Sequence, residues 1–199
     1  MSRFAALLHV PERVDPLRWW LRLALWLGFA AWSLPLVRAD IRSGEIASSF
    51  LHGPLLLFHE AGHVLMLPLG EWMTVFGGTL GQLAMPLAMA GVLLSKNRDP
   101  FGASLGLWLT GVSLLTIAPY AYDALHPQLI LLGGHTGDDG PHDWIYLLSS
   151  LGLLPRAQGI GRTVHFAGAA VMLLSLAWGA GVLWLQRARI SDGEVLREE

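Results

Sequence analysis

Five stretches of about twenty mostly apolar residues, parted by short polar connections, decide which folds are open to this chain. They run over about residues 17–37, 48–69, 72–94, 101–122 and 164–185. A helix rises about 1.5 Å per residue and a bilayer core is about 30 Å thick, so each stretch is long enough to span. In hydrocarbon only helices or closed barrels satisfy their own backbone, and runs of this length read as helices. The expected fold is therefore all-α: a polytopic transmembrane helical bundle of about five spans, forming one membrane-embedded domain over 1–199. Composition agrees, since 53% of the 199 residues are hydrophobic and 14% are charged, against about 25% charged in soluble domains. Trp19, Trp20 and Trp32 suit interface anchors near the ends of the first stretch.

The remaining segments are read by contrast. The first 16 residues carry Arg3, Glu12, Arg13 and Asp15 and lack the apolar core of a signal peptide, so no removed targeting segment is expected. The tail after Gln186 is expected to be polar and solvated. A polar loop over 123–162 holds Asp123, His126, His135, Asp138, Asp139, His142 and Asp143, and its apolar pieces at 129–132 and 144–154 are too short to span. Such pieces suit an interfacial or re-entrant segment. Small residues four apart at Gly77, Gly81, Gly102 and Gly106 permit close helix packing, as does ordinary glycine-rich membrane sequence. Pro54, Pro68 and Pro86 either kink the second and third stretches or mark their ends. Five spans leave the orientation open. Placing Arg38, Arg42, Lys96, Arg98 and the C-terminal arginines on one side leaves four N-terminal arginines on the other.

Several function classes drop out. There is no basic stripe or nucleic-acid motif, so no nucleic-acid partner is expected. There is no cysteine, which excludes disulfides, iron–sulfur clusters and thiolate zinc sites. Any metal must be held by His, Asp or Glu.

The chemistry-bearing motif is His59-Glu60-Ala61-Gly62-His63, inside the second apolar stretch. Residues four apart share one face of a helix, and two neutral imidazoles so placed can bind one Zn²⁺. Glu60, beside them, can take a proton from a water and pass it to a leaving amine. A shuffled chain of this composition would show the pattern in about 1% of cases, and a Glu in hydrocarbon is costly unless paired or functional. Chance is thus the weaker explanation, and the expected cofactor is Zn²⁺. Gln82 on the third stretch suits either a hydrogen bond to a substrate backbone or oxyanion, or a bond to a neighbouring helix. His52 and His165 read as interfacial.

The run Phe58-His59-Glu60-Ala61-Gly62-His63-Val64 in a membrane stretch resembles the active-site helix of site-2-protease-type intramembrane zinc metallopeptidases. Gly77-Gly78-Thr79-Leu80-Gly81-Gln82, followed by Pro86, is similar to the next conserved helix of that group. The resemblance covers about residues 50 to 90. It implies a zinc-dependent peptidase cleaving a peptide bond in or near the bilayer, with membrane lipids and a membrane-protein or peptide substrate as partners. The family takes its third zinc ligand from an Asp in a Leu-Asp-Gly-like motif on a later helix, and this chain has no such motif.

Two protein ligands hold zinc weakly, so a third is sought. His142, ahead of a short amphiphilic segment that could fold back onto the bundle, is the first choice. Asp123, a carboxylate ending the fourth stretch, is the family-like alternative. Asp143 could ligate instead, or orient an imidazole; His135 and Asp138 complete the candidates. The alternative function is a non-proteolytic metal-binding membrane protein for metal handling, sensing or assembly. A structural protein with an accidental motif is the third reading.

Overall fold

The computed structural model describes residues 6–190, so expectations for Arg3, Arg197 and most of the C-terminal tail lie outside the described residues. Among the described residues six helices of eight residues or more make an all-α bundle: α1 Pro16–Arg38, α2 His52–Met66, α3 Glu71–Ser95, α4 Pro100–Asp123, α5 Asp143–Ser150 and α6 Ala157–Arg187. Among the described residues there is no strand, only an isolated bridge between Val14 and Ile190. Helix boundaries follow local chemistry. The Asp15 side chain accepts from Arg18 N at 2.7 Å with Pro16 in the first turn. Asp99 caps Gly102 N at 3.1 Å, again followed by a proline. Such caps satisfy amides that have no partner within the helix.

Among the described residues four segments are long and apolar enough to cross a membrane: Pro16–Arg38, Glu71–Ser95, Pro100–Asp123 and Leu154–Arg187. The second expected stretch, 48–69, folds differently. A 3-10 turn at Glu45–Ser48 precedes it, and α2 itself has 15 residues, about 22 Å at 1.5 Å per residue. Pro54 sits in its first turn. Pro68 ends it in a second 3-10 turn, Leu67–Leu69, and Gly70 at φ +91° reverses the chain into α3. That left-handed φ costs glycine nothing and other residues a good deal. Pro86 lies within α3.

The bundle is apolar outside and keeps its polar side chains inside, among an apolar core. Leu21, Leu57, Leu65, Leu173 and Leu174 are all more than 60% exposed, whereas Thr79, Gln82, Ser104, Ser113, Thr116 and Ser175 are buried. So apolar an exterior departs from the pattern of soluble proteins and matches what surrounding hydrocarbon requires, where polar groups must find partners inside. α4 is the central helix, with 72% of its apolar window buried against 11% for α1. Trp108, Val112 and Leu115 of α4 pack with Leu36, Ile46, Leu55 and Met172 in the main core.

The bundle has two distinct ends. At the first, Val14 N donates to Arg189 O at 2.9 Å, Trp19 Nε1 donates to Leu183 O at 3.0 Å, and Arg22 pairs with Asp99 at 2.9 Å. At the second, Ala124, Leu148 and Ala157 form a small core, and Trp72 Nε1 donates to Ser150 Oγ at 3.0 Å. Asp123 Oδ1 accepts from Gln128 N at 2.8 Å and Leu129 N at 3.2 Å, tying the polar loop to the end of α4.

Glycines set the closest helix approach. A Cβ on Gly62 would run into the Gly77 carbonyl, and one on Gly81 into the Phe58 carbonyl, so α2 and α3 meet backbone to backbone. Gly106 meets Ala90 in the same manner across α3 and α4, whereas Gly102 faces the Asp99 carboxylate. Gly62→Ala should force α2 and α3 apart, costing about 1–3 kcal/mol as overpacking does and lowering the midpoint of thermal unfolding in detergent. Gly28→Ala, where a Cβ meets nothing within 4 Å, should be neutral or slightly stabilising. Equal midpoints for the two variants would contradict the close seam.

Candidate metal centre

The site grows from that seam. Because α2 lies directly on α3, His59 and His63 of α2 project along the α3 surface from one helical face, with ring centroids 4.8 Å apart. Each ring is held by its Nδ1. His63 Nδ1 lies 2.8 Å from Thr74 O; a backbone carbonyl only accepts, so this nitrogen carries the proton. His59 Nδ1 lies 3.1 Å from Gln82 Oε1. The amide is oriented by α4: Gln82 Nε2 donates to Thr116 Oγ1 at 2.7 Å and to Ser113 O at 3.4 Å. Since the Ser113 carbonyl only accepts, the amide oxygen must face His59, and His59 Nδ1 is the donor. The Thr116 hydroxyl in turn donates a hydrogen bond to Ser113 O at 2.9 Å.

Both Nε2 atoms therefore present lone pairs when the rings are neutral. They converge on one carboxylate oxygen: Asp143 Oδ2 lies 2.9 Å from His59 Nε2 and 3.3 Å from His63 Nε2. Three electron-rich atoms facing one another repel unless protons or a cation lie between them. Ligand atoms around a tetrahedral ion at about 2.1 Å would sit about 3.4 Å apart, close to the observed separations. Both Nδ1 protons are bonded to carbonyl oxygens, the arrangement that fixes metal-ligating imidazoles. A Cβ on Gly78 would stand 2.5 Å from His59 Nε2 and 2.6 Å from His63 Nε2, so only glycine leaves that position open. The residues present thus fit a divalent metal held by two nitrogens and one oxygen.

Glu60 is the other carboxylate of the group. One donor atom from each of His59, Glu60 and His63 lies within 4.8 Å of the others. By proximity either acid could join the imidazoles. Asp143 is the better partner, because a single oxygen reaches both Nε2 atoms from a half-buried position, whereas Glu60 is exposed.

α5 delivers Asp143 from across the bundle. Asp143 is the first residue of that helix, where the helix dipole favours a negative charge. Its backbone N donates to Tyr120 Oη at 2.9 Å. The adjacent His142 points elsewhere. It caps α5 through Nδ1, which accepts from Ile145 N at 3.3 Å, and it stacks on Tyr120 with centroids 4.3 Å apart. Its Nε2 faces Asp123 at 3.7 Å. Asp123 itself holds the loop amides described above. So of the three leading third-ligand candidates the structure brings Asp143 to the imidazoles, and sets His142 and Asp123 behind it as a pair.

Gln82 is buried and engaged at both ends of its amide, so it fulfils the helix-bridging expectation rather than facing a substrate. His135 bonds locally, with Nδ1 2.9 Å from Thr136 O, and Asp138 is an exposed loop residue. His165 Nε2 donates to Val37 O at 3.1 Å, near the end of α1. Sequence reasoning passed over Thr74, Thr116, Tyr120 and the cradle role of Gly78. Ser113, Thr116 and Tyr120 recur at helical spacing within an apolar span, and that was the available signal. No family model, curated protein or solved structure matches this chain.

Asp143→Asn should weaken zinc binding by about 100-fold or more, read by competition with a chelator. His142→Asn, which keeps a side-chain oxygen for the cap, should hold zinc within about threefold. Gln82→Leu should fall between, at about 10–100-fold, as loss of a ligand-orienting bond does. The reverse order for His142 and Asp143 would move ligation to His142.

Proposed function

We propose that this chain is a multi-pass integral membrane protein working as a zinc-dependent peptidase on peptide bonds in or near the bilayer. The observation that carries the proposal is the convergence of His59 Nε2, His63 Nε2 and one oxygen of Asp143, with Glu60 alongside. Two imidazoles and one carboxylate form the donor set of catalytic zinc sites, which keep a fourth position open. A zinc ion bound there would supply Lewis-acid polarisation of a carbonyl and make a water about as acidic as neutral pH.

The chain's own residues do the rest. Glu60 is exposed and free of the bonds that hold Asp143, so its carboxylate can move a proton. It accepts one from the attacking water and returns it to the leaving amine nitrogen. Thr74 and Gln82 hold the two rings in the tautomer that leaves both Nε2 atoms unprotonated. Tyr120 anchors Asp143 through its backbone amide. The apolar exterior of α2, with Leu57 and Leu65 outward, suits a substrate segment arriving within or along the bilayer.

A membrane protein that stores, senses or assembles a metal would use the same imidazoles and Asp143 but would have no use for Glu60. Glu60→Gln distinguishes the two. In proteoliposomes holding a host membrane extract, the wild-type chain should create new peptide termini detectable by mass spectrometry. Glu60→Gln should bind zinc equally and lose about 10²–10⁴-fold in rate, the usual span for general acid–base catalysis. Undiminished cleavage by that variant would remove the proposed mechanism. Zinc binding with no cleavage by the wild type would favour the metal-handling reading.

A further inference from the structure

We infer that α2 does not cross the membrane and that the metal centre opens on the non-cytoplasmic side, taking its peptide substrates from there. The substrate part rests on the peptidase reading; the orientation part rests on the helices and their charges alone.

α2 begins inside the bundle rather than at either end. Leu55 in its first turn packs in the main core with Trp108, Val112 and Met172, the middle of α4 and α6. The preceding segment dips inward with it, since Ile46 is buried in the same core. From there α2 rises past Gly81 and Gly77 of α3 and turns at Gly70 into the first residue of α3. Its end therefore lies at the second end of the bundle, and its 15 residues fall short of a core about 30 Å thick. α2 enters and leaves on one side.

Four crossings by α1, α3, α4 and α6 then fix which loops share a face. The start of α1, the loop between α3 and α4, and the end of α6 meet at the first end, through Val14 with Arg189 and Arg22 with Asp99. That end carries Arg13, Arg18, Lys96, Arg98, Arg187 and Arg189 beside the paired Arg22. Among the described residues the second end has only Arg38, Arg42, Arg156 and Arg162, and it carries most of the described acids, among them Asp40, Glu45, Glu71, Asp138 and Asp139. Excess Lys and Arg in short connections stays in the cytoplasm, and the loop holding Lys96 and Arg98 has only four residues between α3 and α4. The first end is cytoplasmic.

The metal centre belongs to the other end. Thr74, which orients His63, is three residues into α3, and Asp143 is supplied by α5, which packs at that end with Ala124 and Ala157. The centre lies just beneath the acidic, non-cytoplasmic face. Substrates in reach are segments of membrane proteins or peptides presented on that side.

The absence of cysteine makes the test direct. Ser43→Cys lies on the second end and Asn97→Cys on the first, both at exposed positions that touch none of the metal-site residues. A membrane-impermeant maleimide applied to intact bacterial cells expressing either full-length variant should label Cys at 43 at least tenfold more than at 97, with equal labelling after permeabilisation. Preferential labelling at 97 would overturn the orientation. Equal labelling on intact cells would overturn it too, since a crossing α2 would put both positions on one side. Zinc content and cleavage, measured on the same variants, report the peptidase reading separately, so either can fail without the other.

Discussion

The backbone contact between α2 and α3 is the constraint on which the rest of the structure depends. Gly62 faces Gly77, and Gly81 faces the Phe58 carbonyl, so at these positions backbone meets backbone. In hydrocarbon, helices gain little from excluding apolar groups and associate through close packing and internal hydrogen bonds. The seam supplies the first and makes the second possible. With α3 this close, Thr74 and Gln82 reach the two imidazoles, and Gly78 leaves room beside both Nε2 atoms. A wider seam would leave the rings without the carbonyl oxygens that fix their tautomers.

A second layer of order runs outward from the rings. His59 leans on Gln82, Gln82 on Thr116, and Thr116 on the Ser113 carbonyl, so the central helix α4 takes part in setting one imidazole. On the other side Tyr120 holds the first residue of α5, while His142 and Asp123 pin the start of that helix and the loop before it. Gln82, Thr116, Tyr120 and His142, all within the apolar bundle, are thus engaged around the site. A carboxylate oxygen facing two imidazole nitrogens is the point in this network that suits a cation.

The helical class was legible because its signal, long apolar runs, comes from the surroundings of the chain and not from its tertiary contacts. The metal-type motif was legible because residues four apart share a helix face wherever the helix lies. The depth of α2 was not, since residues 48–69 read as one mostly apolar stretch long enough to span. Only the burial of Ile46 and Leu55 in one core reveals that the helix starts mid-bundle. The choice between His142 and Asp143 was equally hidden. The two are neighbours, and what separates them is the helix start: His142 spends its Nδ1 on Ile145 N, which turns the next residue toward the imidazoles. Histidine is not among the preferred capping residues, so nothing in the residue order pointed to that role.

X-ray absorption at the zinc K-edge, on the full-length protein purified in mild detergent, tests the central claim most directly. The account expects one zinc per chain, with a nearest shell of nitrogen and oxygen at about 2.0–2.1 Å and the outer scattering of two imidazoles. Protein that takes up no zinc, or a shell with three imidazoles, would contradict the ligand set of His59, His63 and Asp143.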